Sequence, residues 1–307
     1  METMRRPSRP ALLSLFAAAL SIPAAALPAH FMPLPGYAPA TNDLRLSARA
    51  EAAFPSTESE IGESHDPLAS LGVDEDLHDS LNSLPPAEAL KIALRDASVA
   101  NRLDAVRSAA FPKDVAAVPP LAGLMLRLDQ PARLRAAAAL ALGLIGDRVA
   151  VPSLAEALKD PSPNVRFSAA LSLGRLPADG VATRLEKVLR SDPSWGPRYA
   201  AAIALGRTRK TFVAGALAEA LTFDPAWQVR QQAARSLQEL GTASAADALL
   251  DALSDPEPTV RAAAGSALSE IGGPEQRRAV AQALHAETDP SVRAILAAAQ
   301  RRALTRS

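Results

Sequence analysis

Apolar and polar positions repeat along the chain with a period close to 32 residues, from about Leu84 onward. Each period contains one arginine at an equivalent position, and in five of the periods small or leucine residues stand three, four and seven positions after it. The equivalent arginines are Arg102, Arg135, Arg166, Arg198, Arg230, Arg261 and Arg293. Their successive spacings are 33, 31, 32, 32, 31 and 32 residues. A constant period of this length is typical of stacked structural repeats.

Each period contains two helical segments separated by an Asp-Pro turn. In the first segment Leu154 and Leu158 lie four residues apart on one face. The turn ends this segment because proline cannot continue a helix, although it suits the start of the next one. In the second segment Ala138, Ala139 and Leu142 share one face, and such small side chains let neighbouring helices approach closely.

Glycines stand near the end of the second segment in several periods. They are Gly146, Gly174, Gly206, Gly241 and Gly272. A helix often ends with a residue in the left-handed conformation, which glycine adopts without steric cost. We therefore expect these glycines to cap the second helices.

The repeated unit resembles a HEAT repeat, in the short form named after phycobilisome lyases. The Asp-Pro turn, the Val-Arg pair and the Ala-Ala-x-x-Leu face carry this resemblance over roughly residues 84–303. It implies an all-α fold, a right-handed α-solenoid of about seven helix-turn-helix repeats within residues 84–307. Such a fold is held together by contacts between neighbouring repeats.

Charged residues recur in the turn as regularly as the arginines do. An aspartate stands six residues before each of the first six arginines, whereas Asp289 lies only four before Arg293. An aspartate there can accept from backbone N–H groups at the start of the second helix, and the arginine can reach an aspartate of its own or the adjoining unit. We expect a structural ladder made of Asp129, Arg135, Asp160, Arg166, Asp192, Arg198, Asp224, Arg230, Asp255 and Arg261. A row of arginines that binds an anionic ligand is the alternative.

The N-terminal residues 1–29 have the pattern of a signal peptide. Arg5, Arg6 and Arg9 precede an uncharged apolar run over residues 11–22, and small residues follow. This pattern predicts export to the periplasm or secretion, with an uncleaved signal anchor as the alternative. No other apolar segment has spanning length, so we expect no membrane association after signal removal.

Residues 30–83 differ in composition from the repeats. Residues 51–82 contain nine acidic residues and neither lysine nor arginine, and several prolines interrupt the segment. Such a composition predicts an acidic, largely disordered linker. Residues 83–307 carry 28 basic and 22 acidic residues, so the linker and the repeats have opposite charge.

Two features could provide a binding surface. Trp195 and Trp227 occupy equivalent positions in adjacent repeats, and Tyr199 lies one helical turn after Trp195. These three aromatic residues are predicted to form a patch suited to a protein or peptide partner. The alternative is that the indoles only cover the turn between the helices.

A basic edge is the second feature. Arg175, Arg207, Arg209 and Lys210 follow the second helices of adjacent units. An anionic partner, or the acidic linker of the same chain, could dock there. The alternative is an ordinary solvated loop edge.

The sequence contains few residues in patterns that would indicate an enzyme. The four histidines are followed by Phe, Asp, Asp and Ala, so the His-Glu pairs that hold the metals of the HEAT-like deoxyhypusine hydroxylase are missing. Without cysteine the chain has no thiolate for a metal or a covalent bilin. We therefore expect no catalytic residue, metal or cofactor. The formal net charge of zero argues against a nucleic-acid partner.

These observations predict a non-catalytic protein-binding scaffold that acts outside the cytoplasm. The alternative is an enzyme or enzyme-accessory factor of the HEAT-like family, either lyase-like or metal-dependent.

Overall fold

A computed structural model describes residues 86–110 and 113–305 of the chain. The chain divides into two units, residues 1–64 and 65–307, and all the described residues belong to the second. The predicted signal peptide and acidic linker lie outside the described residues. Those two assignments therefore stay predictions.

Fourteen α-helices, and no strand, occur among the described residues. The first helices of the pairs are α1 (Pro86–Ala93), α3 (Val118–Leu126), α5 (Val151–Ala157), α7 (Val181–Ser191), α9 (Ala214–Phe223), α11 (Ala246–Asp251) and α13 (Pro274–Ala286). The second helices are α2 (Val99–Ala110), α4 (Ala132–Ile145), α6 (Pro163–Leu173), α8 (Trp195–Arg207), α10 (Trp227–Leu240), α12 (Pro258–Ile271) and α14 (Pro290–Thr305). Seven helix pairs in sequence confirm the predicted α-solenoid.

The second helices form the closely packed layer of the stack. Each one contacts the second helices before and after it more extensively than the first helices contact one another. The predicted face is buried, since Ala138, Ala139 and Leu142 are fully inaccessible to solvent. At the last interface Leu296 replaces the usual alanine, and its side chain occupies the space that a Cβ on Gly265 would need.

Gly174 and Gly206 serve a different purpose from the one predicted. Gly174 has a right-handed conformation at the end of α6, and Gly206 lies within α8 without a positive φ. A Cβ on Gly174 would lie 2.6 Å from the Cβ of Ala204, and one on Gly206 would lie 2.8 Å from the Cβ of Ser236. These two glycines are needed because successive second helices approach closely at this level, not because the helix ends there.

The left-handed cap lies eleven residues after the repeat arginine. Gly146, Gly241 and Gly272 have positive φ angles there, of 82°, 61° and 75°. The prediction is right for these three. In two other units the same position is held by Lys113 and Arg209, each with a φ of 52°. A non-glycine residue in this region carries a steric cost, so these two turns are locally strained.

Arginine–carboxylate pairs join each unit to the next over five successive interfaces. The guanidinium donates through Nε and Nη2 to both carboxylate oxygens of the following unit, over 2.7–3.0 Å. The pairs are Arg135–Asp160, Arg166–Asp192, Arg198–Asp224, Arg230–Asp255 and Arg261–Glu287. Each arginine therefore reaches the adjoining unit, one of the two options that the sequence left open.

Each ladder arginine and the carboxylate residue six positions before it also stabilise the turn that they share. Arg166 Nη1 donates to the backbone carbonyl of Asp160, and Asp160 Oδ1 accepts from the N–H of Ser162. The hydrogen bond from Arg166 to Asp192 raises the pKa of the arginine. One guanidinium thus fixes two turns and the separation between them.

The last pair shows that the seventh unit keeps the repeat. Glu287 stands six residues before Arg293 and takes the place of the aspartate. Asp289 instead caps α14, accepting from the N–H groups of Ser291 and Val292. The hydrogen bond from Arg261 is the main reason that the pKa of Glu287 is lowered to about 2.

Asp129 departs from the expected ladder. It is exposed, and both of its oxygens accept from Arg127, at 3.1 Å from Nε and 2.6 Å from Nη2. Arg102, which would be its partner, donates to the backbone carbonyls of Asp96 and Ala97. Because Arg127 is only two residues from Asp129, the local pair replaces the contact between units.

We expect Gly174→Ala to destabilise the stack by about 1–3 kcal/mol, because the new methyl group forces α6 and α8 apart. Urea unfolding followed by circular dichroism measures the change. Gly123→Ala is the matched control, because a Cβ on this exposed residue of α3 meets no atom within 4 Å. The control should be more stable than the wild type by about 0.5–1 kcal/mol. Equal stability of the two variants would contradict the close-packing role.

We expect Glu287→Gln to lower the free energy of unfolding at pH 7 by about 1–3 kcal/mol, since a charge-assisted pair is lost. The pKa of Glu287 is about 2 in the folded chain, against an ordinary value of 4.5. Its contribution to stability is therefore complete above about pH 4.5 and is lost as the pH falls towards 2.

The difference between wild type and Glu287→Gln should accordingly shrink over that pH range in urea titrations. Glu239→Gln is the control, because Glu239 is exposed and makes no ion pair within the described ranges. A pH-independent difference would show that Glu287 does not act through its charge.

Candidate functional site

One face of α8 carries partly buried side chains at every fourth position. Trp195, Tyr199 and Ile203 follow one another on this face, and Arg207 ends it. The rings of Trp195 and Tyr199 meet edge to face, with centroids 6.2 Å apart and an interplanar angle of 79°. Trp195 and Tyr199 pack against the hydrophobic core on one side and remain partly accessible on the other.

The equivalent face of α6 continues the surface. Phe167 and Leu171 are partly buried there, and Arg175 follows at the end of the helix. The Phe167 ring reaches α8, where it lies 3.7 Å from the place that a Cβ on Gly196 would occupy. We call the side chains of Phe167, Leu171, Trp195, Tyr199 and Ile203 the apolar strip.

Trp227 begins α10 and is also partly buried against the core. In the described part of the chain it makes no ring contact with Trp195 or Tyr199. The same face of α10 continues with the polar residues Gln231 and Arg235. The structure therefore brings together two of the three predicted aromatic residues and leaves Trp227 at the border of the strip.

A pocket of about 450 Å³ lies at the ends of α6 and α8. Arg175, Arg207 and Lys210 of the predicted basic edge line it, together with Arg148 from the turn before α5. Its walls also include Leu173, Leu176, Pro177, Val181 and Ala182. We call this cavity and its four cationic side chains the basic pocket.

The positive charge of the basic pocket is not compensated by the residues that line it. Asp179 is the single acidic residue among the lining, and none of the four cations forms an ion pair with a described residue. The Arg175 residue as a whole is exposed to solvent, but its guanidinium group is partly buried, and this burial lowers its pKa. The charge of Arg207 lowers the pKa further.

The start of α7 forms part of the wall of the pocket. Val181 and Ala182 line the cavity, while the N-cap residue Gly180 has no side chain to accept from the first N–H groups of the helix. A helix N-terminus favours negative charge. The pocket is therefore suited to an anion.

Arg209 lies outside the lining of the basic pocket. It is exposed in the turn after α8, at the left-handed position described above. Lys210, its neighbour, holds its Nζ 5.9 Å from the centre of the Phe212 ring. Three of the four residues predicted for the basic edge thus meet at the pocket, and Arg209 does not.

Four members of these surfaces were not singled out from the sequence: Phe167, Leu171, Ile203 and Arg148. The first three occupy positions one and five after a repeat arginine, so reading those columns of the repeat would have found them. Arg148 had no such signal, because it stands before α5 and meets Arg175 only through the packing of α5 and α6 within the third unit.

The described residues give no indication of a metal centre, since no three or more acidic or histidine side chains there are grouped to hold an ion. No helix within the described ranges combines the length and apolarity needed to cross a membrane.

The model for HEAT repeats matches residues 122–206 and 214–300, which together make up more than half of the chain. The chain belongs to the HEAT-repeat family. These matched ranges contain the apolar strip and, of the basic pocket, Arg148 and Arg175, whereas Arg207 and Lys210 lie between the two ranges.

Three solved structures illustrate the likeness. The complex of CpcE and CpcF of phycocyanin lyase from a Nostoc species is 23% identical, with a TM-score of 0.47, and the match covers 81% of this chain and 100% of that one. Human deoxyhypusine hydroxylase is 22% identical with a TM-score of 0.37, covering 85% and 96%. An engineered protein is 22% identical with a TM-score of 0.45, covering 71% and 67%. None of the curated proteins matches this HEAT-repeat chain.

We expect Arg209→Gly to raise the stability of the HEAT repeats by about 1 kcal/mol, because glycine adopts a positive φ without the steric cost that arginine carries. Thermal unfolding measures the change. Arg209→Ala is the control, because alanine carries the same steric cost at a positive φ as arginine does. The alanine variant should show no gain, and a gain equal to that of glycine would exclude relief of backbone strain.

Proposed function

We propose that this HEAT-repeat protein is a non-catalytic scaffold that binds another protein, and that it acts outside the cytoplasm. The observation that carries the proposal is the apolar strip on α6 and α8. Five large apolar side chains there remain partly accessible on adjacent helices, next to a basic pocket. Aromatic residues grouped in this way are typical of the energetic centre of a protein interface.

The HEAT-repeat surface that follows α8 differs from the strip. On α10 and α12 the equivalent positions carry Gln231, Arg235 and Ser266. Other exposed large apolar residues, such as Phe212 and Phe223, stand singly on the surface. Scattered apolar residues are normal on a protein surface, whereas a contiguous group indicates a binding site.

Action outside the cytoplasm is supported by the N-terminal sequence. Three arginines, an apolar run and small residues follow one another there in the order of a signal peptide. The acidic linker would then connect the signal to the repeats and leave the binding surface free to meet a partner.

Trp195→Ala combined with Trp227→Ala should weaken partner binding by at least about tenfold, as expected for the loss of interface anchors. The measurement is capture of partner proteins by the chain, followed by mass spectrometry, from separated envelope and cytoplasmic fractions of the source cells. We expect a partner from the envelope fraction that the double variant loses.

Phe223→Ala is the matched control, because it removes an exposed aromatic residue that is not part of the strip. This variant should keep the partner, and circular dichroism should show equal helical content in all three proteins. Capture from the cytoplasmic fraction alone would contradict the proposed location. Capture of nothing by the wild type would contradict the scaffold itself.

A further inference from the structure

The helices α6 and α8 carry the apolar strip and end at the basic pocket. We infer that these two surfaces, together called the combined site, bind a segment of a partner protein in which about five residues separate an apolar side chain from two or three carboxylates. This inference rests on the proposed protein-binding function and specifies the chemistry of the partner.

The length of the combined site follows from the helix α8. Trp195 and Arg207 lie twelve residues apart in it, which corresponds to about 18 Å along the axis. The row of side chains between them turns gradually around the helix, because four residues make slightly more than one turn. An extended peptide advances about 3.3 Å per residue. Five or six residues therefore separate a side chain on the aromatic end of the strip from one that enters the basic pocket.

The two helices carry the same order of chemistry. On α6 it runs from Phe167 through Leu171 to Arg175, and on α8 from Tyr199 through Ile203 to Arg207. A ligand that covers the apolar part in this direction therefore meets both arginines at the same end. A ligand turned the other way along the helices would place its carboxylates on the strip, away from the cations.

The arginines of the pocket differ in their electrostatics from those of the ladder. Arg166 and Arg198 each donate twice to a carboxylate of the same chain. Arg175 and Arg207, nine residues further along the chain, line a cavity without such a partner among the described residues. Burial of the guanidinium is the main reason that the pKa of Arg175 is lowered, and the charge of Arg207 lowers it further.

Carboxylates of a peptide fit this pocket better than a nucleic acid does. The strip between Trp195 and Arg207 has no cation on α8 to follow a phosphate backbone. The pocket itself combines guanidinium groups, which bind carboxylates through two parallel hydrogen bonds, with the apolar side chains of Leu176 and Pro177. The same chemistry would also accept the acidic linker of the chain, so the experiment separates the two sources.

The probe is a fluorescein-labelled peptide with the sequence Phe-Leu-Gly-Ser-Gly-Ser-Glu-Glu-Glu. Two control peptides replace the three glutamates by glutamine or omit the four-residue spacer. Fluorescence anisotropy with the full chain measures the dissociation constants at low and at high salt. We expect the glutamate peptide to bind about tenfold more tightly than either control at low salt, and the difference to shrink at high salt.

Arg175→Gln combined with Arg207→Gln should remove this tenfold preference and leave binding of the glutamine peptide unchanged. Arg133→Gln combined with Arg278→Gln is the matched control, because it removes the same charge at two exposed positions outside the pocket. This control should bind all three peptides as the wild type does.

Equal affinities for the glutamate and glutamine peptides, or an unchanged preference in Arg175→Gln/Arg207→Gln, would overturn the inference. The proposed function would stand in that case if the peptides still bind the strip and Trp195→Ala weakens them. Absence of peptide binding would overturn the inference, and partner capture would decide the proposed function separately. Binding that appears only after Asp74→Asn, Glu75→Gln and Asp76→Asn would overturn it in favour of the chain's own linker.

Discussion

The bidentate contact between an arginine and the carboxylate of the following unit is the interaction on which the stack depends. Taking both charges out of water costs free energy, so the net stabilisation by such a pair is small. Its geometry is the larger contribution, because two parallel hydrogen bonds fix both the distance and the rotation between two turns. Arg166 and Arg198 also hold the carbonyls of their own turns. Since each repeat contacts only its neighbours, this local geometry places every second helix in turn.

Part of the surface of the second helices does not pack closely against neighbouring helices. Small residues, among them Gly174 and Gly206, are required where the helices approach closely. The positions one and five after the ladder arginine are not so constrained. They carry apolar residues such as Tyr199 on α8 and polar residues such as Gln231 on α10. A uniform scaffold therefore presents a surface whose chemistry changes from one repeat to the next, and binding can be confined to a few repeats.

Arginine has two distinct roles in this HEAT-repeat protein, and its surroundings decide which. A ladder arginine faces the next turn, where a carboxylate accepts both of its donors. An arginine at the end of a second helix, such as Arg207, faces a cavity and a helix N-terminus instead. The first kind stabilises the stack and is unavailable to a ligand. The second has no ion-pair partner in the part of the chain that the structure describes, and its positive charge is what an acidic segment would recognise.

The sequence by itself determined the seven helix pairs, the buried alanine and leucine face and most residues of the ladder, because these follow from contacts within a few turns of one helix and from a repeated period. Contacts between units were decided only by the tertiary structure. The rotation and separation of neighbouring repeats decide whether Arg166 pairs within its unit and which cations meet Arg175. They also explain why glycine is required at position 174. Asp129 and Glu287 show the same limit. Asp129 pairs with the nearby Arg127 and so does not join the ladder, whereas the stacking geometry brings Glu287 into contact with Arg261. A period in the sequence fixes positions along each helix, whereas the distances across helices are set by packing.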